Sequence, residues 1–228
     1  DSELSTKLLQ LVNSSYFAIS DEIDGISLAI NLLGTQQLYS MILGLCAVSS
    51  LSSQRIPPDM TSAESIWRSN LLCANLSQLL AQRLEISPAE RLFIVGLLHN
   101  IGHLVLSANF PDQARAAIQL AEQQDLTIQQ AQQQIQGCHY GDIGAMLIHH
   151  WQLPEDFQQM VRYQPTPSLA PQNWVETALL HIAHAYACAH LQLTRQPLDQ
   201  LIETYAWDIT RLDPREVEES LAKAIDIS

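Results

Sequence analysis

Charge is scarce in this 228-residue chain: Asp, Glu, Lys and Arg together make up 15% of it. Basic residues are scarcer still, 11 against 24 acidic ones, for a formal net charge of -13. Such a surface repels phosphate backbones and anionic head groups, so charge-driven binding to nucleic acid or membrane is not expected. Glycine is sparse, and no Asn-Gly or Asp-Gly turn separates two alternating segments; the one such pair, Asp24-Gly25, runs into a helical pattern. A significant sheet is therefore not expected. Cys46, Cys73, Cys138 and Cys188 lie far apart with no C-x-x-C spacing. That suits buried, reduced thiols in a cytoplasmic protein better than disulfides. The apolar runs are interrupted by Ser, Gln, Gly or His. Neither a membrane span nor a signal peptide is expected.

Hydrophobic residues are plentiful, at 47%, which predicts a folded chain. They recur at helical spacing. Leu4, Leu8, Leu11 and Val12 form one stripe; Ile26, Ala29, Ile30 and Leu33 form a second; Leu38, Ile42, Leu45 and Cys46 form a third. Helix starts are marked by three capping boxes: Thr61-Ser62-Ala63-Glu64 after Pro57-Pro58, Ser87-Pro88-Ala89-Glu90, and Asp213-Pro214-Arg215-Glu216. The Gln-rich stretch from Gln123 to Gln136 keeps Leu126, Ile128, Ala131 and Ile135 in helical register. It reads as a solvated helix ending at Gly137. Pro165, Pro167 and Pro171 predict a loop over 164–172, and the apolar segment Trp174–Leu193 a helix packed back on the rest. The acidic segment Asp199–Asp226 predicts the last two helices. The expectation is an all-α chain of about ten helices, forming a single domain over 1–228. Its core would be 1–193, with C-terminal helices over 197–228.

The densest chemical signal is Gly96-Leu97-Leu98-His99-Asn100-Ile101-Gly102-His103. His99/His103 and His181/His184 have helical spacing, but Gly102 is expected to end the helix within the first pair. No G-x-S-x-G, P-loop or G-x-G-x-x-G is present. Cys138 beside His139 reads as an inert thiol, because adjacent residues point different ways. Trp67, Trp151, Trp174 and Trp207 read as core or helix-junction residues.

Gly96–Gly102 resembles the central signature of the HD superfamily, all-α metal-dependent phosphohydrolases named for a His-Asp pair. Four further segments, in order, resemble its HDOD branch. These are Lys7–Phe17, Ile26–Gly34, Ile66-Trp67-Arg68-Ser69, and His139–Leu147 followed by Trp151-Gln152-Leu153-Pro154. The resemblance covers roughly Asp1 to Leu193. It implies a compact multi-helix fold, and further helical residues ahead of Asp1, so the chain is read as N-terminally incomplete. In catalytic HD proteins a His, the His-Asp pair and a distant Asp hold a divalent metal that activates water. Here the resemblance puts Ser69 in the helix supplying the first His, Asn100 at the Asp, and Ala183-His184 where hydrolases show Ala-Asp. Arg162-Tyr163 stands where related phosphodiesterases have a His pair. His99 alone keeps its family identity.

These vestigial positions (Ser69, His99, Asn100, His139, Arg162 and His184) predict no catalytic residue and no metal or other cofactor. The leading expectation is a non-catalytic output module of a bacterial signalling protein, possibly of a response regulator. Its partners would be proteins or a neighbouring receiver or cyclic-dinucleotide-enzyme domain. The first alternative is an HD-type phosphohydrolase in which His99, His139 and His184 converge on a divalent metal. The second is a nucleotide-sensing module, with Arg68 and Arg162 as candidate contacts to an anion.

Overall fold

The computed structural model describes Ile42 and residues 61–227. The first two helical stripes, most of the third, the Pro57-Pro58 break, Cys46 and the Lys7–Phe17 and Ile26–Gly34 segments lie outside the described residues. Within them are eleven α-helices and no strand. They are α1 (Ala63–Arg83), α2 (Glu90–Leu98), α3 (Ile101–Asn109), α4 (Pro111–Gln124), α5 (Ile128–Gln136), α6 (Tyr140–His150), α7 (Glu155–Tyr163), α8 (Trp174–His190), α9 (Leu198–Leu201), α10 (Thr204–Thr210) and α11 (Pro214–Ile227). A 3-10 turn, Pro167–Leu169, sits in the proline-rich loop.

The two longest helices, α1 and α8, lie against each other at the centre. α2 and α11 pack on α1, and α10 packs on α8. α6 packs against both α3 and α7, while α4 and α5 form a hairpin reached through α3. One continuous apolar cluster runs from Leu72 and Leu76 through Phe93 and Leu180 to Ala206, Val217 and Ala224. The C-terminal helices therefore share the core of the helices before them. Arg83 ties the end of α1 to Glu216 and Glu219 of α11, and Arg91 pairs with Asp156.

Local chemistry explains the helix ends, with corrections to the expected boundaries. Asp213 and Glu216 form the anticipated reciprocal cap: Arg215 N–H donates to Asp213 Oδ1 and Asp213 N–H to Glu216 Oε2, each at 2.8 Å. At α1 the cap is Ser62 rather than Thr61, its hydroxyl accepting the Ser65 N–H at 3.1 Å. Ser87 caps nothing, since α2 starts at Glu90 behind Ala89, whose methyl offers no acceptor. The Gln-rich stretch is split by Asp125 in the left-handed conformation, after which Thr127 and Gln130 make a full capping box. Gly137 ends α5 as expected. The buried face of α5 carries Ala131 and Gln132, and Ile135 is exposed. The C-terminal segment holds three helices, one of them the single turn α9. Trp67, Trp151 and Trp207 pack against the core, whereas Trp174 is exposed at the start of α8. Glu90–Asn109 is long and apolar enough to cross a membrane, contrary to the expectation that no stretch is. It folds as α2 and α3 and is mostly buried inside the domain.

Two glycines set how closely helices approach. A Cβ on Gly102 would sit 1.9 Å from the Tyr140 carbonyl oxygen, so α3 and α6 touch backbone to backbone. A Cβ on Gly96 would meet Ala74 Cα at 2.5 Å. Ala in a helix is favoured over Gly by about 1 kcal/mol, but forcing apart packed backbones costs about 2–3 kcal/mol or more. Gly102→Ala and Gly96→Ala are therefore expected to lower the urea unfolding midpoint, although both sites are helical. A midpoint at or above wild type in either would show that the helices separate freely.

Candidate functional site

The helix expected to run to Gly102 ends earlier, at Leu98. His99 and Asn100 form the corner between α2 and α3, and Gly102 lies inside α3. Both corner residues are buried. The Gly96 carbonyl lies 2.6 Å from His99 Nδ1. A carbonyl only accepts, so Nδ1 carries the proton and Nε2 offers a lone pair. His184, on α8, places its Nδ1 2.8 Å from His99 Nε2. His184 therefore donates from Nδ1. Cys188, one turn further along α8, brings its sulfur 3.7 Å from both ring nitrogens of His184, and Ser69 Oγ lies 3.9 Å from that sulfur.

Burial keeps the set uncharged. Desolvation, partly opposed by the bond to the Gly96 carbonyl, holds His99 at about 4. Desolvation and the neighbouring histidines push His184 well below the usual imidazole range. Desolvation, against the Ser69 hydrogen bond, raises the Cys188 thiol to about 11.

A second group surrounds Tyr140, the first residue of α6. Its hydroxyl donates to Gln164 Oε1 at 2.8 Å, and its backbone N–H donates to Gln132 Oε1 at 2.9 Å. The His103 ring stacks on Tyr140 with centroids 3.9 Å apart, and its Nδ1 lies 3.4 Å from Gln132 Nε2. Burial, then the nearby His99 and His139, holds His103 at about 3. His181 donates from Nδ1 to the Gln164 carbonyl at 2.8 Å and accepts the Glu203 N–H on Nε2 at 3.1 Å. Both its ring nitrogens are thus satisfied within the chain.

These groups form the polar wall of a cavity of about 670 Å³. Ser69, Asn100, His103, Tyr140, Gln164 and His184 line it; Leu106, Ala114 and Ile118 of α3 and α4 face them with apolar surface. Its carboxylates, Glu122 and Asp125, are exposed at the end of α4.

Of the sequence candidates, Ser69, His99, Asn100 and His184 come together. His139 and Arg162 do not join them. His139 is the N-cap of α6, its Nδ1 accepting the Gly141 N–H at 3.1 Å. Asp142 lies beside its Nε2 and is bonded to Arg162 Nε at 3.1 Å. Those three residues line a separate, smaller pocket of about 350 Å³. The proposed His99, His139 and His184 set is therefore not assembled: His139 is held at a helix start by the backbone it caps. Among the described residues no group of three or more His, Cys, Asp or Glu is gathered to hold a metal ion. Arg68 is exposed and lines neither pocket.

The residues present do not fit the divalent metal that the HD resemblance implies. Both nitrogens of His99 are engaged, one as donor and one as acceptor. Asn100 contributes a neutral amide where a hard cation needs a carboxylate. Gln132, Gln164 and Tyr140 were not anticipated as site residues. The one usable signal was that Gln132 follows Ala131 on the buried face of α5.

The depressed histidines make a pH prediction. Each binds its proton in the unfolded chain near 6.5 and in the folded chain only at lower pH, so the unfolded state takes up more protons in between. Their stabilising effect is complete above pH 6.5 and is lost as pH falls toward the folded values, about 4 for His99 and about 3 for His103. The slope is at most about 1.4 kcal/mol per pH unit for each. Stability from urea unfolding is expected to be at least about 2 kcal/mol lower at pH 5 than at pH 7. An unchanged value across that interval would mean that the site takes up protons while folded.

A family model for the HDOD domain matches residues 1–167. An uncharacterized protein from Treponema pallidum (strain Nichols) is 24% identical over 178 residues, which is 76% of this chain and 33% of that protein. The chain thus spans about a third of that relative. An HDOD domain protein of unknown function from Geobacter sulfurreducens shares the fold with a TM-score of 0.77 at 21% identity, over 99% of this chain and 79% of its own. A protein from Shewanella amazonensis SB2B, named provisionally as a phosphohydrolase, does so at 0.72 and 24%, over 98% and 79%. The MmoQ response regulator from Methylococcus capsulatus does so at 0.58 and 17%, over 96% and 84%. With the motif order, the all-helical fold and the match over residues 1–167 in agreement, the chain belongs to the HDOD domain family.

Proposed function

We propose that this chain is a non-catalytic output module of a bacterial signalling protein. In this reading it acts through contacts with a protein partner or a neighbouring receiver or cyclic-dinucleotide-enzyme domain. The observation that carries the reading is the 2.8 Å bond between His99 Nε2 and His184 Nδ1. It occupies the lone pair that His99 would need to hold a cation, and Asn100 beside it brings no charge. A hydrolase of this superfamily works by metal activation of water; here the two imidazoles are uncharged and bonded to each other. The likeness to the MmoQ response regulator supports the signalling context through the fold. The phosphohydrolase alternative draws on the name of the Shewanella protein and has no observation of its own at this site.

The test uses the full-length signalling protein that carries this chain. Asn100→Ala and His99→Gln are introduced and checked for folding by circular dichroism, and the output is then measured. Folded variants are expected to retain output within about twofold, since the Asn100 and His99 functional groups carry out no chemistry. Purified wild-type protein supplied with manganese, iron or zinc should not hydrolyse phosphoesters. Hydrolysis that is lost in His99→Gln, together with lost output, would overturn the proposal in favour of an enzyme.

A further inference from the structure

A buried hydrogen-bond relay ends in an open donor on the cavity wall. The Tyr140 backbone N–H donates to Gln132 Oε1 at 2.9 Å, and a backbone N–H only donates, so the Gln132 amide has one orientation. Its Nε2 is then a donor, and it lies 3.4 Å from His103 Nδ1. Nδ1 therefore accepts, which places the proton of the neutral ring on Nε2. The stack on Tyr140 holds that ring in place. His103 lines the cavity and is partly exposed. Ser107, one turn later on the same face of α3, lines it too. Among the described residues neither His103 Nε2 nor the Ser107 hydroxyl has a hydrogen-bond partner, and the packing seals off neither atom. The cavity thus meets a ring N–H of fixed direction with a hydroxyl beside it.

The rest of the wall narrows the class. Ile118, Leu126, Ile128 and Leu193 line the cavity and keep part of their surface exposed, so it offers apolar area that a ligand would take out of water. Burial keeps the His103 and His184 imidazoles neutral and Tyr140 protonated. The one cation lining the cavity among the described residues, Arg195, is exposed and lies 4.0 Å from Glu122. Glu122 and Asp125 add only negative charge. An anion inside would therefore lose its water without gaining a counter-charge. Arg68 and Arg162 do not line the cavity, so the anion contacts expected of them are not made here. The volume, about 670 Å³, lies within the range of small-molecule sites.

We infer that this cavity binds an uncharged aliphatic molecule with a carbonyl head, whose oxygen accepts from His103 Nε2–H while its chain lies against Ile118, Leu126, Ile128 and Leu193. A carbonyl oxygen only accepts, so it brings no proton of its own to be buried unpaired. Its second lone pair suits the Ser107 hydroxyl one turn along α3. The inference extends beyond the output role proposed above and does not depend on it.

The test is calorimetric titration of the 228-residue chain with octan-2-one, and with octanoate as the charged control at neutral pH. The ketone is expected to bind at one site per chain, and octanoate at least about tenfold more weakly for want of a counter-charge. His103→Phe keeps a flat ring against Tyr140 and removes the N–H, and should weaken ketone binding about fivefold. Ile118→Trp fills the cavity from α4 and leaves the α3 donors in place. It should abolish binding while leaving the circular dichroism spectrum unchanged, and it keeps the test decisive if the His103→Phe chain does not fold. Absence of ketone binding up to millimolar concentration would overturn the inference, the His103 N–H then being served by water. So would octanoate binding as tightly as the ketone, or affinity unaltered in a folded His103→Phe or Ile118→Trp chain. These readouts report ligand binding alone, so they stand or fall separately from signalling output.

Discussion

A neutral imidazole has one N–H and one lone pair, and at the corner between α2 and α3 both of these on His99 are committed inside the chain. The N–H goes to its own helix at Gly96, and the lone pair goes to His184 on α8. The bond to Gly96 fixes the tautomer, and the tautomer fixes the direction of the bond to His184. Protonating His99 would turn its acceptor into a second donor facing the His184 N–H and would leave a cation in a buried site without a counter-charge. Burial outweighs the bond to Gly96, which by itself favours the charged ring, and the pair stays neutral well below pH 7. The same contact joins the α2–α3 corner to α8, so the central helix is held where the cavity needs its wall.

That constraint explains why a fold that resembles metal-dependent hydrolases presents so different a surface. A metal shell needs lone pairs aimed at one point and negative charge to balance the ion. Here the lone pair of His99 is aimed at a proton on His184, and Asn100 is uncharged. The carboxylate closest to a site-like arrangement, Asp142, belongs elsewhere: it sits at the start of α6, where an acidic residue is favoured by the helix N-terminus, and pairs with Arg162. The polar chemistry of the buried wall is consequently that of amides, hydroxyls and neutral rings.

Much of this was legible in the sequence, for identifiable reasons. The all-helical class follows from apolar spacing, and the family from the order of motifs. His99, Asn100, Ser69 and His184 were found because each sits in or beside a motif with a fixed offset from its helix. His139 and Arg162 were misplaced because motif order says nothing about which face of α6 or α7 a residue occupies; His139 was drawn away by the unpaired N–H groups of its own helix start. Gln132 and Gln164 escaped notice for a related reason. Glutamine in a Gln-rich run or a proline-rich loop reads as solvated. Its burial here follows from a need elsewhere in the chain: the backbone N–H and hydroxyl of buried Tyr140 require acceptors. The Ser87 box failed because a capping pattern specifies which atoms are available, while the path of the chain into α2 decides whether they can reach.

Gln164 shows how such needs bind distant segments into one unit. Its side chain accepts from Tyr140 of α6, and its carbonyl accepts from His181 of α8. The other nitrogen of His181 accepts the Glu203 N–H just before α10, and the Glu203 carboxylate accepts the Ser168 N–H in the proline-rich loop at 3.0 Å. Most of these groups are buried, so breaking one bond leaves its partner unsatisfied at a cost of about 1–3 kcal/mol. Rearranging one member alone is therefore dearer than shifting the connected set together. The end of α7, the cavity face of α8 and the approach to α10 must consequently keep or change their arrangement jointly, which places the cavity wall and the C-terminal helices in one mechanical unit.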